Sequence, residues 1–174
     1  MNNKLVRYPI ILGTVALIAG LLLALVYNVT APIIAKNANI RENAEIVELF
    51  GADATITNIK DSINDTDKKA GVNDAYTVES KGTKYYVYKV TITDGVGSDN
   101  SNAIVALKDG KVHAFRLTKS GDAYSDKYAS ENYFNMIKGK NNLKDTDVVG
   151  GATATGEYVV KAVNATIAHY GRVK

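Results

Sequence analysis

The chain has 174 residues, 46% of them hydrophobic, a formal charge of +3 and no cysteine. That length holds one domain plus a membrane segment. The lack of cysteine excludes disulfides, thiolate zinc sites, iron–sulfur clusters, c-type haem attachment and a lipid-modified N-terminal cysteine. Lysines, arginines and acids are interspersed without a basic cluster, so a nucleic-acid partner is not expected.

Tyr8 to Ala35 carries no charge, and Ile10 to Val26 is almost wholly aliphatic. This run is long enough to cross a hydrocarbon core, which needs about 20 residues. Lys4 and Arg7 precede it, and the next cation is Lys36. The positive-inside rule therefore expects residues 1–7 in the cytoplasm, a transmembrane helix over 8–31 and the remainder outside the cell membrane. A cleaved signal peptide is the alternative. The run exceeds a usual signal core, and the small-residue site Val29-Thr30-Ala31 is followed by Pro32, so an uncleaved anchor is the reading taken. Asn28, Asn64 and Asn164 each begin an Asn-x-Thr triplet, read as chance matches in a chain rich in both residues.

Pro32 suits the first turn of a second helix or a kink in the first. Ile33, Ile40, Ala44 and Val47 recur at helical spacing, which predicts a juxtamembrane stalk helix over 32–50 that Gly51 ends. Residues 51–174 then form the extracytoplasmic domain. A short strand is expected near Ile56 and Ile59. A strand over Tyr76–Glu79, the Lys81-Gly82 turn and a strand over Thr83–Thr93 follow, with Tyr86, Tyr88, Val90 and Ile92 on one face. Asp94–Asn102 reads as a loop. Ala103–Leu107 and Val112–Leu117 flank Asp109-Gly110, a two-residue hairpin signal. His113, Phe115 and Leu117 are expected to share a face. Ser130 can cap a helix bearing Tyr133, Phe134, Met136 and Ile137, closed by Gly139. Val159, Val160, Val163, Ile167 and Tyr170 mark a C-terminal helix. The fold class is α+β: one transmembrane helix, then a small antiparallel sheet packed with helices.

The stretch with the clearest chemical content is "VVGGATATGEYVV", Val148–Val160. Gly150 and Gly151 allow close approach to the backbone, and Thr153 and Thr155 stand at the start of the last helix. Two readings fit: an anion such as phosphate bound at a helix N-terminus, or threonine capping of the helix. The P-loop and dinucleotide fingerprints are absent.

Asp147-Val-Val-Gly-Gly-Ala-Thr153-Ala-Thr155 resembles the flavinylation motif of FMN-binding domains, Asp-x-x-Ser/Thr-Gly-Ala-Thr-x-Thr/Ser before a helix. Such domains occur in the G subunit of the Rnf ferredoxin:NAD⁺ oxidoreductase complex and in the C subunit of the sodium-pumping NADH:quinone oxidoreductase. "LVYNVTAPIIAKN", "NAIVALKDGKVHAFRL" and "YFNMIKGK" resemble other segments of those subunits. The resemblance implies FMN joined through its phosphate to Thr153, with Gly150, Gly151, Ala152, Thr155 and Asp147 forming the site. It also implies a flavin transferase that supplies FMN from FAD, and neighbouring membrane subunits of an Rnf-like complex among which electrons are relayed. The chain would then be a redox subunit of a translocating complex rather than a stand-alone enzyme. Gly150 and Gly156 depart from the motif, where hydroxyl residues are usual, and "SGDAYSDKY" (Ser120–Tyr128) replaces an acidic Pro-Gly loop.

Asp147 is expected either to present the threonine or contact the transferase's metal, or to be an exposed loop acid. Tyr124, Tyr128 and Phe134 are candidates to lie beside the flavin ring, and Arg116 and Lys119 to neutralise charge. His113 and His169 lack metal-ligand spacing, and no metal site is expected. A free-standing flavinylated carrier and a non-redox, membrane-anchored interaction module are the competing functions. A hydrolase lacks a nucleophile elbow.

Overall fold

The structure is a computed structural model that describes residues 4–93, 100–121 and 124–174. It has two compact units, residues 1–44 and 45–174. The first is a single helix, α1 (Lys4–Glu42). Its stretch Ile10–Ile34, 25 residues of mean hydropathy 2.6, has no buried share. At 1.5 Å per residue it spans roughly 37 Å, enough for a bilayer core of about 30 Å. The hydroxyls of Thr14 and Thr30 donate back to Ile10 O (2.9 Å) and Val26 O (2.8 Å), which hides them on an apolar helix. The expected boundary at Pro32 is not a break: α1 runs through it, and the turn falls at Asn43. A single proline removes one backbone bond, which a long helix can absorb.

The second unit begins with α2 (Ala44–Phe50), closed by Gly51 at φ +92°. Then come β1 (Thr55–Asn58), a 3-10 turn (Lys60–Ser62), α3 (Asp65–Lys69), β2 (Val72–Ser80), β3 (Thr83–Ile92), β4 (Ser101–Lys108) and β5 (Lys111–Lys119). A second 3-10 turn (Ser125–Ala129), α4 (Glu131–Ile137) and α5 (Thr153–Val173) complete it. The five strands form an antiparallel meander in the order β1-β2-β3-β4-β5. The fold is α+β, as expected. β2 starts four residues before Tyr76, and β4 takes in Ser101 and Asn102; residues 94–99 of the expected loop lie outside the described residues.

Both tight turns follow from left-handed backbone at two successive residues: Lys81 (φ 51°) with Gly82 (φ 72°), and Asp109 (φ 53°) with Gly110 (φ 74°). That is the type I′ geometry whose twist suits a hairpin. The pleat sends Tyr86, Tyr88, Val90 and Ile92 to one face, where they pack with α4 and α5 residues such as Tyr133, Ile137, Val159 and Val163. Tyr76, Val78, Val87, Ile104 and Ala106 face the other way, under Ile46 of α2. Ala103–Leu107 is buried throughout because its sheet position is covered on both sides.

The expected grouping of His113 with Phe115 and Leu117 is corrected. Ala106 pairs with Ala114 but Leu107 pairs with Val112, so His113 is an extra residue in β5. This bulge resets the alternation. Val112, Phe115 and Leu117 face the main core, while His113 packs its ring 4.8 Å from that of Tyr85.

Candidate functional site

The segment between α4 and α5 is built as a chain of short constraints. Ser130 Oγ accepts from Tyr133 N, which starts α4. Gly139, at φ +80°, turns the chain after α4. Its N–H then donates to Val112 O (2.8 Å), and Lys140 O accepts from Val112 N (2.9 Å), tying the turn to β5. Asn164 of α5 holds the next residue from both sides: Oδ1 accepts from Leu143 N and Nδ2 donates to Leu143 O, each at 2.8 Å. Asn164 is therefore a structural residue, as is Asn64, whose side chain caps α3 in a reciprocal box with Asp67.

Asp147 is 7% exposed, so the exposed loop-acid alternative fails. Its Oδ1 accepts from Lys140 Nζ (2.6 Å) and its Oδ2 from Lys144 N (3.0 Å). Burial alone would raise its pKa. The Lys140 hydrogen bond, the Lys144 N–H and the two lysine charges outweigh burial and hold the carboxyl below its usual range. With both oxygens engaged, the residue positions the loop from within.

The glycine-threonine loop follows. Ala152 N donates to Val149 O (3.0 Å), closing a four-residue turn. Gly151 supplies the positive φ (+75°) at the third position, as a type II turn requires. Gly150 has ordinary φ and open space around its would-be Cβ. The residue at the cap of α5 is Ala152, with no side-chain cap bond, so Thr153 does not cap the helix. Thr153 is exposed, whereas Thr155 is only 3% exposed. The two hydroxyls therefore do not form one accessible pair.

Tyr128 clamps this loop. Its ring is 1% exposed; its hydroxyl donates to Ala152 O (2.8 Å) and accepts from Val149 N (3.1 Å). Both ends of the turn thus hang from one phenol, and burial keeps that phenol protonated by raising its pKa. Gly156 makes room for it: an added Cβ there would lie 2.2 Å from Tyr128 Oη and 2.6 Å from Val148 Cγ1. Lys127 Nζ donates to Gly151 O (3.2 Å) and stands 5.9 Å from the centroid of the exposed Tyr124 ring. A cleft of about 150 Å³ opens here, lined by Tyr124, Gly151, Ala152, Thr153, Ala154 and Thr155.

Of the ring candidates, Tyr124 lines the cleft and Tyr128 is committed as the clamp. Phe134 packs against the main core with Lys138 5.5 Å from its ring centroid. Arg116 pairs with Glu48 (2.8 Å), and Lys119 ends β5. His169 is buried between Tyr88 Oη (3.0 Å) and Ser62 Oγ (2.9 Å). Among the described residues no group of three or more metal-binding side chains occurs. Sequence reasoning missed Lys127 and Lys140, because nothing local marks which lysine meets the loop.

The fold and site define a class: among the described residues, one helix long and apolar enough to cross a membrane, and an α+β body presenting an exposed threonine on a clamped glycine loop. Residues 1–46 match the family model described as the RnfG N-terminal region. Over that segment, which carries the apolar helix, the chain is similar to RnfG proteins, and the helix fits a single-pass membrane protein. The glycine-threonine loop lies beyond the matched residues. No curated protein and no solved structure matches the chain.

Proposed function

We propose that this chain is a membrane-anchored electron-transfer subunit carrying FMN as a phosphoester on Thr153, relaying electrons among the other membrane subunits of an Rnf-type complex. The observation that carries the reading is the state of Thr153. Its side chain is exposed and takes no part in capping, on a loop otherwise held at Val149, Gly151 and Ala152. A transferase can reach such a hydroxyl without unfolding its surroundings.

The residues present suit a phosphoester. The first N–H groups of the 21-residue α5 and its dipole favour a negative charge, and Lys127 brings a cation to the same loop. The cleft is smaller than the roughly 300 Å³ or more of a typical ligand pocket, so it would hold only part of FMN, and Tyr124 would be the aromatic side chain on hand for the ring. FMN, when bound, supplies the redox chemistry. This chain's share is different: Thr153 supplies the attachment oxygen, Tyr128 and Asp147 fix the loop, and α1 keeps the assembly at the membrane.

The full-length chain, co-expressed with a flavin transferase and FAD, should show flavin fluorescence in a denaturing gel and an FMN-sized mass on the peptide containing Thr153. Thr153→Ala should abolish both, while Thr155→Val should retain them. A bare peptide in every molecule, alongside a control substrate that is modified, would overturn the assignment and favour an interaction module.

A further inference from the structure

A second cavity, remote in sequence from the threonine loop, opens beside α3, β2, β3 and α5. It measures about 350 Å³, and its described lining includes Lys68, Lys69, Gly71, Asn73, Tyr158 and Lys161. That volume lies within the range of small-molecule sites. The described lining has three lysines and no carboxylate. Lys68 approaches the exposed Asp65 at 4.0 Å. Among the described residues Lys69 and Lys161 make no ion pair.

The sequence shapes this cleft deliberately at the level of backbone. α3 ends in Lys68-Lys69, and the chain reverses through Gly71 at φ +95°. A Cβ on Gly71 would sit 2.1 Å from Thr91 O, and Thr91 N donates to Gly71 O (2.8 Å), so one wall is backbone laid on backbone. Val72 pairs with Val90 but Asp74 with Lys89, leaving Asn73 as an extra residue in β2. Its amide is steadied by donating to Thr91 Oγ1. Bulges of this kind re-aim side chains beside binding sites. From α5, Tyr158 and Lys161 share a face at i, i+3 spacing, with Tyr158 39% exposed.

We infer that this cleft binds a phosphate-bearing ligand, with Lys68, Lys69 and Lys161 around the phosphate and the Tyr158 ring beside it. Like charges gathered in a concavity repel one another until a counter-ion enters. A phosphate or diphosphate group carries enough charge to satisfy several ammonium groups, and lysine serves it as a point charge. A monocarboxylate would leave one of the two unpaired lysines, Lys69 or Lys161, uncompensated. The phosphate can belong to a soluble molecule or to a lipid headgroup. This inference does not depend on flavin attachment at Thr153.

The test uses the full-length chain in nanodiscs of zwitterionic lipid, titrated calorimetrically with inorganic pyrophosphate. Hydrogen exchange is followed in peptides covering 68–73 and 158–161. Saturable binding with protection of both peptides is expected. The pair Lys69→Gln with Lys161→Gln should weaken it about tenfold or more, while Lys81→Gln with Lys84→Gln on the β2–β3 hairpin should not. A second arm uses nanodiscs containing phosphatidylglycerol without pyrophosphate; protection there assigns the phosphate to a lipid headgroup, and protection by pyrophosphate alone assigns it to a soluble ligand. No saturable binding in either arm, or equal weakening by the hairpin pair, overturns the inference. Because flavin fluorescence is read separately, a bare Thr153 in the same samples counts only against the proposed function.

Discussion

At Gly156 an added methyl would stand 2.2 Å from the Tyr128 hydroxyl and 2.6 Å from Val148 Cγ1, atoms that themselves hold the loop before α5. Gly156→Ala should therefore destabilise the body by about 1–3 kcal/mol, the usual range for overpacking, and should loosen the loop as well. Chemical denaturation gives the first effect; the yield of Thr153 modification gives the second. Tyr128→Phe removes one donor and one acceptor at once, from Ala152 O and Val149 N. It should cost about 1–3 kcal/mol by leaving those groups unsatisfied. The two neighbouring glycines should behave differently. Gly150 has ordinary φ and nothing within 4 Å of its would-be Cβ, so Gly150→Ser should change stability by less than about 0.5 kcal/mol. Gly151, at φ +75°, should lose about 1–2 kcal/mol on substitution by alanine. Equal melting temperatures for the two variants would refute the type II reading of the turn.

At the scale of elements, whatever depended on neighbours in the chain was legible. Asp109-Gly110 marked its hairpin because left-handed backbone at two successive residues has few sequence solutions. Alternation along Tyr86–Ile92 marked a face, and Ser130 marked the start of α4, because period and capping are local. His113 defeated the same reasoning: a bulge is decided by the partner strand, and no property of β5 alone reports it. Of the two readings at Pro32, a second helix starting there is not what forms: α1 continues to Glu42, since one missing backbone bond does not end a long apolar helix. In the loop, the motif located Thr153, but the phenol that clamps it, the lysine that touches Gly151 and the role of Gly156 all come from contacts across more than twenty residues or between α5 and the preceding loop. Tyr133 illustrates the limit inside α4. Its ring packs edge-on to Tyr128 and Phe115, yet its hydroxyl is buried without a hydrogen-bond partner among the described residues. Tyr133→Phe keeps the ring packing and removes the unsatisfied oxygen. It should leave stability unchanged or raise it by about 1 kcal/mol. A clear loss in a denaturant titration would mean that the hydroxyl has a partner in solution.

Across the whole body, α3, the turn before it, β3 and α5 meet at one buried imidazole. Ser62 donates its hydroxyl proton to Ile59 O, so it can only accept from His169, whose Nε2 then carries the hydrogen. In the neutral ring Tyr88 then donates to Nδ1, 3.0 Å away. Burial is the main reason the imidazole's pKa lies below the usual value, which favours the neutral ring; Arg172 adds to that, while Asp67 and the Ser62 contact oppose it. Asp67 and Arg172 are paired with each other beside the ring. A histidine whose folded pKa is depressed gives a fixed pH dependence. Above about pH 6.5 both the folded and unfolded forms are neutral, and stability is level. Below it the unfolded chain takes up a proton that the folded chain refuses, so stability falls as pH drops toward the folded pKa, by at most about 1.4 kcal/mol per pH unit. His113, lowered by burial and by Lys108 and Lys138, acts with the same sign, but it is exposed and its effect is screened by solvent. Asp147, also depressed, adds stability at neutral pH that is lost only as the pH falls from the ordinary carboxylate value toward its own lower one, outside the histidine window. Denaturant midpoints of the full-length chain between pH 7.5 and pH 5 should therefore decline below about pH 6.5. His169→Gln should flatten most of that decline, and His113→Gln should flatten little of it. If the decline survives His169→Gln intact, the imidazole is not the group that refuses the proton, and the hydroxyl-bonded neutral tautomer assigned to it is wrong.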